Sequence, residues 1–261
     1  MSKAVWGADP EFFGPRHAHR EGRVTRRLEH LVSEPGLHLE CAAGVGSLSL
    51  SLAQRGHIVV SADLSLRSLL FLADRADSAG FAGRVLPVVA DITHLPFSDR
   101  VFASATSAET LEHIPEHAKA VGEIARVLAL GGWLVGTVPA GPSQWSEWDD
   151  WAGHLRRYSA AGMTEILVEA GLVPEVTVWG WPTLRLYDDL FLKRINRRRL
   201  RLDATVDDDR ALRGVAGLGR QRWLVSSVRS IFGLDRIFDG LPWGVGLLFA
   251  GQKTELNNRS R

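Results

Sequence analysis

The 261-residue chain has one cysteine, Cys41, so it can form no intrachain disulfide and no zinc site built on cysteines. A lone thiol fits a reducing compartment. No apolar run approaches the ~18 residues needed to span a bilayer. The first twenty residues mix Asp9, Glu11 and Arg16 with prolines and glycines and show no apolar signal core, so a cytoplasmic protein is expected. Net charge is nearly absent too: 31 basic against 30 acidic residues leave +1, which gives no global field for nucleic acid or an anionic membrane. Neither an internal repeat nor a low-complexity segment interrupts the chain. With 45% apolar and 23% charged residues, the composition excludes disorder and a small disulfide scaffold.

Basic residues do cluster locally, at Lys193, Arg194, Arg197, Arg198, Arg199 and Arg201, with Asp203, Asp207, Asp208 and Asp209 just beyond. A solvated face neutralised by those acids is the simpler reading. A patch contacting a membrane surface or an acidic substrate is the alternative.

From residue 24 to 140 helical and strand patterns alternate. Val24, Leu28, Leu31 and Val32 have helical spacing, and Pro35-Gly36 stops them. Strands are expected at 36–40, 57–63, 85–91, 101–107 and 133–138, with helices at 48–53, 66–79 and 116–128 between them. This rhythm predicts an α/β protein with a doubly wound, mostly parallel sheet. Beyond it, a helix is expected at 158–170, a strand at 176–179 and a last strand at 244–253.

Glu40-Cys41-Ala42-Ala43-Gly44-Val45-Gly46 places an acid and two glycines in a tight strand-to-helix turn, where small residues admit a ligand to the backbone. The G-x-G-x-x-G spacing of a dinucleotide fingerprint is missing. Asp63 ends the second strand, 23 residues after Glu40, where an acid can hold both hydroxyls of a ribose. Asp91 ends the third, followed by Ile92, a pair suited to an adenine amino group and its apolar face. Ligands of open α/β sheets bind outside the carboxyl ends of the strands, so the three acids converge on one crevice.

On these residues the chain resembles the class I S-adenosylmethionine-dependent methyltransferases, in their small-molecule branch, over roughly 36–180 and again at the final strand. Leu95-Pro96-Phe97-Ser98-Asp99, Leu111-Glu112-His113-Ile114 and Leu130-Gly131-Gly132-Trp133-Leu134 are similar to that family's later motifs. The resemblance implies a seven-stranded Rossmann-like sheet with an antiparallel final strand. It also implies S-adenosyl-L-methionine as cofactor, with S-adenosyl-L-homocysteine as product. The implied cofactor set is Glu40, Ala42, Gly44, Gly46, Asp63, Leu64, Asp91, Ile92 and Ser107. Two positions depart from the family pattern: Ala42 replaces a glycine, and Ala103 stands where an aspartate is usual after Phe102.

Methyl transfer is an in-line displacement that needs an aligned acceptor, and a hydroxyl acceptor also needs a base near neutral pKa. His113 and His154 are the candidates, His113 as the nearer to the chemistry and His154 as the nearer to the substrate. Glu109 and Glu112 either meet a substrate amine or face solvent. Glu109, His113 and His117 at four-residue spacing suggest a metal, but Pro115 breaks the helix that would align them, so no metal is expected. Trp145, Trp148 and Trp151 form a stripe, read as packing ahead of recognition. The expected organisation is 1–35 as a helical segment covering the site and 36–181 with 243–253 as the core. Residues 182–242 would be a helical lid insertion, and 254–261 a disordered tail.

The leading function is methyl transfer to an oxygen or nitrogen of a small or medium-sized, partly apolar metabolite. A protein that binds the cofactor without transferring methyl and a nucleic-acid methyltransferase are the alternatives. Monomer and homodimer are both left open.

Overall fold

A computed structural model gives the fold, and the structure describes residues 14–194 and 222–255. Seven strands form one sheet in the order β3-β2-β1-β4-β5-β7-β6. They are β1 (Leu37–Cys41), β2 (Ile58–Asp63), β3 (Val85–Val89), β4 (Phe102–Ala108), β5 (Leu128–Pro139), β6 (Leu172–Trp179) and β7 (Gly246–Lys253). Pairing is parallel from β3 through β5, whereas β7 runs antiparallel to both β5 and β6. The doubly wound sheet with an antiparallel last strand is therefore present as expected.

The sheet is covered on both faces because successive residues of a strand point to opposite sides. In β5, Leu134 belongs to the core cluster with Ile124 of α4 (His117–Val127) and Leu167 of α6 (Ala160–Glu169). Val135, its neighbour, belongs to the opposite cluster with Val24 and Leu28 of α1 (Pro15–Leu31), Leu52 of α2 (Ser47–Gln54) and Leu72 of α3 (Leu66–Ser78). Each fully buried leucine of this kind contributes roughly 1.5–3 kcal/mol.

Helix α1 begins at Pro15, nine residues before the expected start. Proline suits the first helical position, since its missing N–H would have no partner there. The added turns are polar in sequence, yet His19 and Arg23 are buried on them, so apolar periodicity could not reveal them. The strand expected from Trp133 starts instead at Leu128. Phe102 pairs with Leu128 and Ser104 with Trp133, and the intervening residues bulge around Gly131 at φ +79°. The strand expected from Val176 begins at Leu172, where Pro174 and Glu175 mask the alternation. The helix expected from Glu116 is preceded by a separate 3₁₀ turn, Leu111–His113.

Of the expected lid, α7 (Thr183–Tyr187), a π-helical turn (Asp188–Leu192) and α8 (Arg222–Gly233) are described. A 3₁₀ turn (Leu234–Phe238) follows α8 in it, while residues 195–221 of that expectation, the basic run from Arg197 to Arg201 and most of the expected tail lie outside the described residues. Lys193 of that run pairs with Asp189 at 2.5 Å. Among the described residues, no helix is long and apolar enough to cross a membrane.

Candidate functional site

The carboxyl ends of β1, β2 and β4 and the start of α1 build the site. The turn after β1 is held to β2 by Ala43 N–H donating to the Ala62 carbonyl at 3.0 Å. Ala42 sits at φ +55° and Gly44 at φ +53°, so both occupy the left-handed region. A Cβ on Gly44 would meet nothing within 4 Å, which leaves open space for a ligand against the backbone. Gly46 differs, for a Cβ there would lie 1.9 Å from Leu72 Cδ1. Glycine is thus needed at Gly44 for conformation and at Gly46 also for packing.

Asp63 fixes this turn, because its two oxygens accept from Gly44 N–H at 2.8 Å and Ser65 N–H at 2.7 Å. Leu64 beside it is 68% exposed. Asp91 accepts from Thr93 N–H and Thr93 Oγ1 through Oδ1, both at 2.8 Å, which keeps its carboxyl below the ordinary range. Both bonds fall on one oxygen, so the other retains its lone pairs for a ligand amino group. Ile92 is buried in the main core cluster and offers the site its backbone more than its side chain. Ser107, paired in register with Cys41, has a buried hydroxyl with no hydrogen-bond partner among the described residues.

Glu40 is only 6% exposed and accepts from Ser49 Oγ, which lies 2.7 Å from Ser61 Oγ. Burial pushes its carboxyl up to about 8, an effect that the Ser49 hydrogen bond offsets only in part. Burial also raises the Cys41 thiol, so that residue is inert packing.

A second polar cluster follows β4. Glu109, at φ +54°, lies 3.6 Å from Arg20 of α1, and Arg16 of the same helix pairs with Asp188 at 3.2 Å. These bonds draw α1 across the strand ends. Of the two glutamates that the sequence left between amine contact and solvent, Glu112 is buried and Glu109 half-buried. The Arg20 and Arg16 charges outweigh burial at Glu109 and lower its pKa, whereas burial beside Glu109 raises that of Glu112.

His113 and His154 come together, with ring centroids 4.9 Å apart in an edge-to-face contact. His154 Nδ1–H donates to Asp149 Oδ1 at 2.8 Å, and His113 Nδ1 lies 3.4 Å from the Gly153 carbonyl. Burial lowers the pKa of His113, so it is neutral at pH 7. Asp149 is fully buried and also accepts from Arg157 Nε at 2.8 Å and from Ser146 N–H, which hold it ionised well below the usual range. Sequence reasoning missed Asp149; the signal was the capping box Ser146-x-x-Asp149 that opens α5 (Glu147–Ala152). His117 is elsewhere, 3.1 Å from the Tyr158 hydroxyl, so the triplet Glu109, His113 and His117 does not assemble. Trp148 and Trp151 stack on each other at 4.6 Å.

Residues 39–136 match the model of a family described as a methyltransferase domain. Over that segment the chain is similar to methyltransferase domains. Over 99 residues it is 37% identical to the demethylmenaquinone methyltransferase of Thermobifida fusca (strain YX), which is 38% of this chain and 42% of that protein. The chain spans about half the length of the curated relatives it matches. Among solved structures, the [4+2]-cyclase SpnF superposes with a TM-score of 0.65 at 20% identity, covering 97% of this chain and 88% of that one. A geranyl diphosphate methyltransferase in complex with GPP and sinefungin superposes with a TM-score of 0.63 at 19% identity, covering 91% and 80%. At such identities the likeness shows the fold, and one bearer of that fold is named a cyclase. The reaction of this chain must therefore be argued from its own site.

Proposed function

We propose that the protein transfers a methyl group from S-adenosyl-L-methionine to a hydroxyl of a small, partly apolar acceptor. What supports this reading is the placement of Glu40 and Asp63 near the carboxyl ends of β1 and β2 and of Asp91 just past β3, with Asp63 bonded to the open turn at Gly44. A Cβ at Gly44 would meet nothing within 4 Å, and the buried Ser107 hydroxyl of the adjoining β4 has no hydrogen-bond partner among the described residues. A ribose diol suits Asp63, an adenine amino group suits Asp91, and an ammonium suits Glu40 once it ionises. When bound, the cofactor supplies an electrophilic methyl carbon on a sulfonium.

The chain's own residues then align and deprotonate the acceptor. His154 carries its proton on Nδ1, pinned by ionised Asp149, so Nε2 presents a lone pair to an acceptor O–H. His113 packs on it edge-on and fixes the ring's plane. The α1 arginines hold Glu109 ionised next to both imidazoles, and this field favours the imidazolium that forms as the proton arrives. The apolar faces of Trp148 and Trp151 suit an acceptor with an apolar body. The described helices after β6 are proposed to belong to an insertion that covers this acceptor side.

Calorimetric titration with S-adenosyl-L-homocysteine, followed by methyl incorporation into hydroxylated aromatic and polyketide acceptors, tests the proposal. Binding without incorporation into any acceptor favours the non-methylating alternative that the cyclase fold illustrates, and absence of binding refutes both.

A further inference from the structure

Three side chains after β4 form a donor set that proton transfer alone does not explain. Glu112 is fully buried, and neither of its carboxyl oxygens has a hydrogen-bond partner among the described residues. Leaving such a group unpaired in a core is unfavourable by about 1–3 kcal/mol, more for a charge, so a buried acid is retained where something pairs with it. The groups facing it are His113 and His154. One ligand-capable atom from each of Glu112, His113 and His154 lies within 4.8 Å of the other two.

Both imidazoles are braced from behind at Nδ1. His154 donates to Asp149, and His113 is directed at the Gly153 carbonyl. Carboxylate and carbonyl oxygens only accept, so each ring keeps its proton on Nδ1, and Nε2 is the nitrogen whose chemistry suits a metal. Imidazoles that bind metals are held in this way, with an outer carboxylate or carbonyl fixing tautomer and plane. Asp149 is itself fixed by Arg157 and Ser146, which completes the outer layer.

We propose that Glu112, His113 and His154 bind one divalent first-row transition ion of the zinc or iron(II) class. Two nitrogens and one carboxylate suit these ions, whereas magnesium and calcium prefer all-oxygen sets. Three protein ligands leave positions open for an exogenous oxygen. The role of the ion rests on the methyl-transfer reading above, although its binding does not. In that role the acceptor hydroxyl coordinates the ion and releases its proton to water. The oxygen lone pair then attacks the methyl carbon, and the C–S electron pair departs with sulfur. With the ion bound, the two imidazoles act as ligands and the ion takes over from His154 the activation of the hydroxyl, the general-base step above being that of the metal-free protein.

The test uses the full chain, stripped with a chelator and titrated with Co²⁺ while its visible absorption is recorded. One equivalent with the bands of a mixed nitrogen–oxygen site, displaced by Zn²⁺, is expected. Glu112→Gln and His154→Ala should each weaken Co²⁺ binding at least tenfold. Asp149→Asn should weaken it by about 10- to 100-fold through the tautomer it sets. All three should keep wild-type affinity for S-adenosyl-L-homocysteine; if Glu112→Gln does not fold, the Asp149→Asn result decides. Asp63→Asn separates the two readings, because it should bind Co²⁺ normally while losing the cofactor product. A stripped wild-type protein that takes up no Co²⁺ overturns the metal site, as does undiminished Co²⁺ binding by all three variants. Failure of methyl transfer with intact Co²⁺ binding overturns only the function assigned above.

Discussion

Replacing Glu40 with glutamine should stabilise the free protein while weakening its grip on the cofactor. The carboxyl is buried against Ser49 and Ser61, and its pKa stands at about 8 in the fold against an ordinary 4.5. Below pH 4.5 both folded and unfolded chains hold the proton, and this group's stability contribution is fully present. As pH rises further the unfolded chain ionises first, so stability falls until the folded acid also ionises near pH 8. Each pKa unit is worth 1.36 kcal/mol, so the loss reaches about 3 kcal/mol by pH 7 and levels off just above pH 8. Glutamine can still accept from Ser49 and cannot ionise. Urea denaturation of Glu40→Gln at pH 5, 7 and 8.5 should therefore show a flatter stability profile, with the largest gain over wild type at pH 8.5. Affinity for S-adenosyl-L-homocysteine should fall at least tenfold, because an amide cannot ion-pair with the ammonium. Binding to wild type at pH 7 should also release a proton, visible as a dependence of the calorimetric heat on buffer ionisation. A variant with the wild-type pH slope, or one less stable at pH 8.5, would refute the assignment of a protonated buried acid.

Asp63→Ala should lower cofactor-product affinity about ten- to a hundredfold, consistent with the loss of one or two charge-assisted hydrogen bonds; unchanged affinity by calorimetry would remove Asp63 from the site. In single-turnover methyl transfer from pH 6 to 9, His154→Ala should slow the chemical step ~10²–10⁴-fold with cofactor affinity intact. His113→Ala should do the same by a smaller factor, and a wild-type rate and pH profile in both would mean that alignment alone carries the transfer. Gly46→Ala should destabilise the fold by roughly 1–3 kcal/mol, because the added methyl collides with Leu72 and a left-handed φ is imposed on alanine; a thermal midpoint within one degree of wild type would contradict that geometry.

The acids at the strand ends were legible in sequence because each follows a β-branched or apolar run directly, so residue type and position coincide. Asp63 ends β2 as expected, whereas Asp91 lies two residues beyond the end of β3 at Val89. What escaped notice depends on contacts between distant segments. Arg20 reaches Glu109 across 89 positions, and no pattern near Arg20 signals it. The early turns of α1 were hidden because their buried face is polar, with His19 packed against Trp179 and Phe232 at 5.8 and 5.6 Å. His113 and His154 were individually visible, but their contact depends on the loop after β5 folding back so that Leu155 N–H meets the Glu112 carbonyl at 2.8 Å. The burial of Glu112 was equally invisible, since a glutamate beside a histidine after a strand looks the same whether it faces water or the core.

The position of β7 bears on how the molecule is made. Strands β1 to β5 can pair as they are synthesised, each beside a predecessor or completed by the next one or two. Among the described residues, strand β6 is bonded to β7 alone, and β7 is the last strand. Until residues 246–253 emerge from the ribosome, β5 has an open edge and β6 has nothing to pair with. During that interval the nascent polypeptide exposes unpaired backbone of the kind that recruits foreign strands. A stop codon before Gly246 would make this state permanent, so C-terminal truncations should accumulate as aggregates or chaperone-bound species even though the cofactor crevice lies entirely upstream.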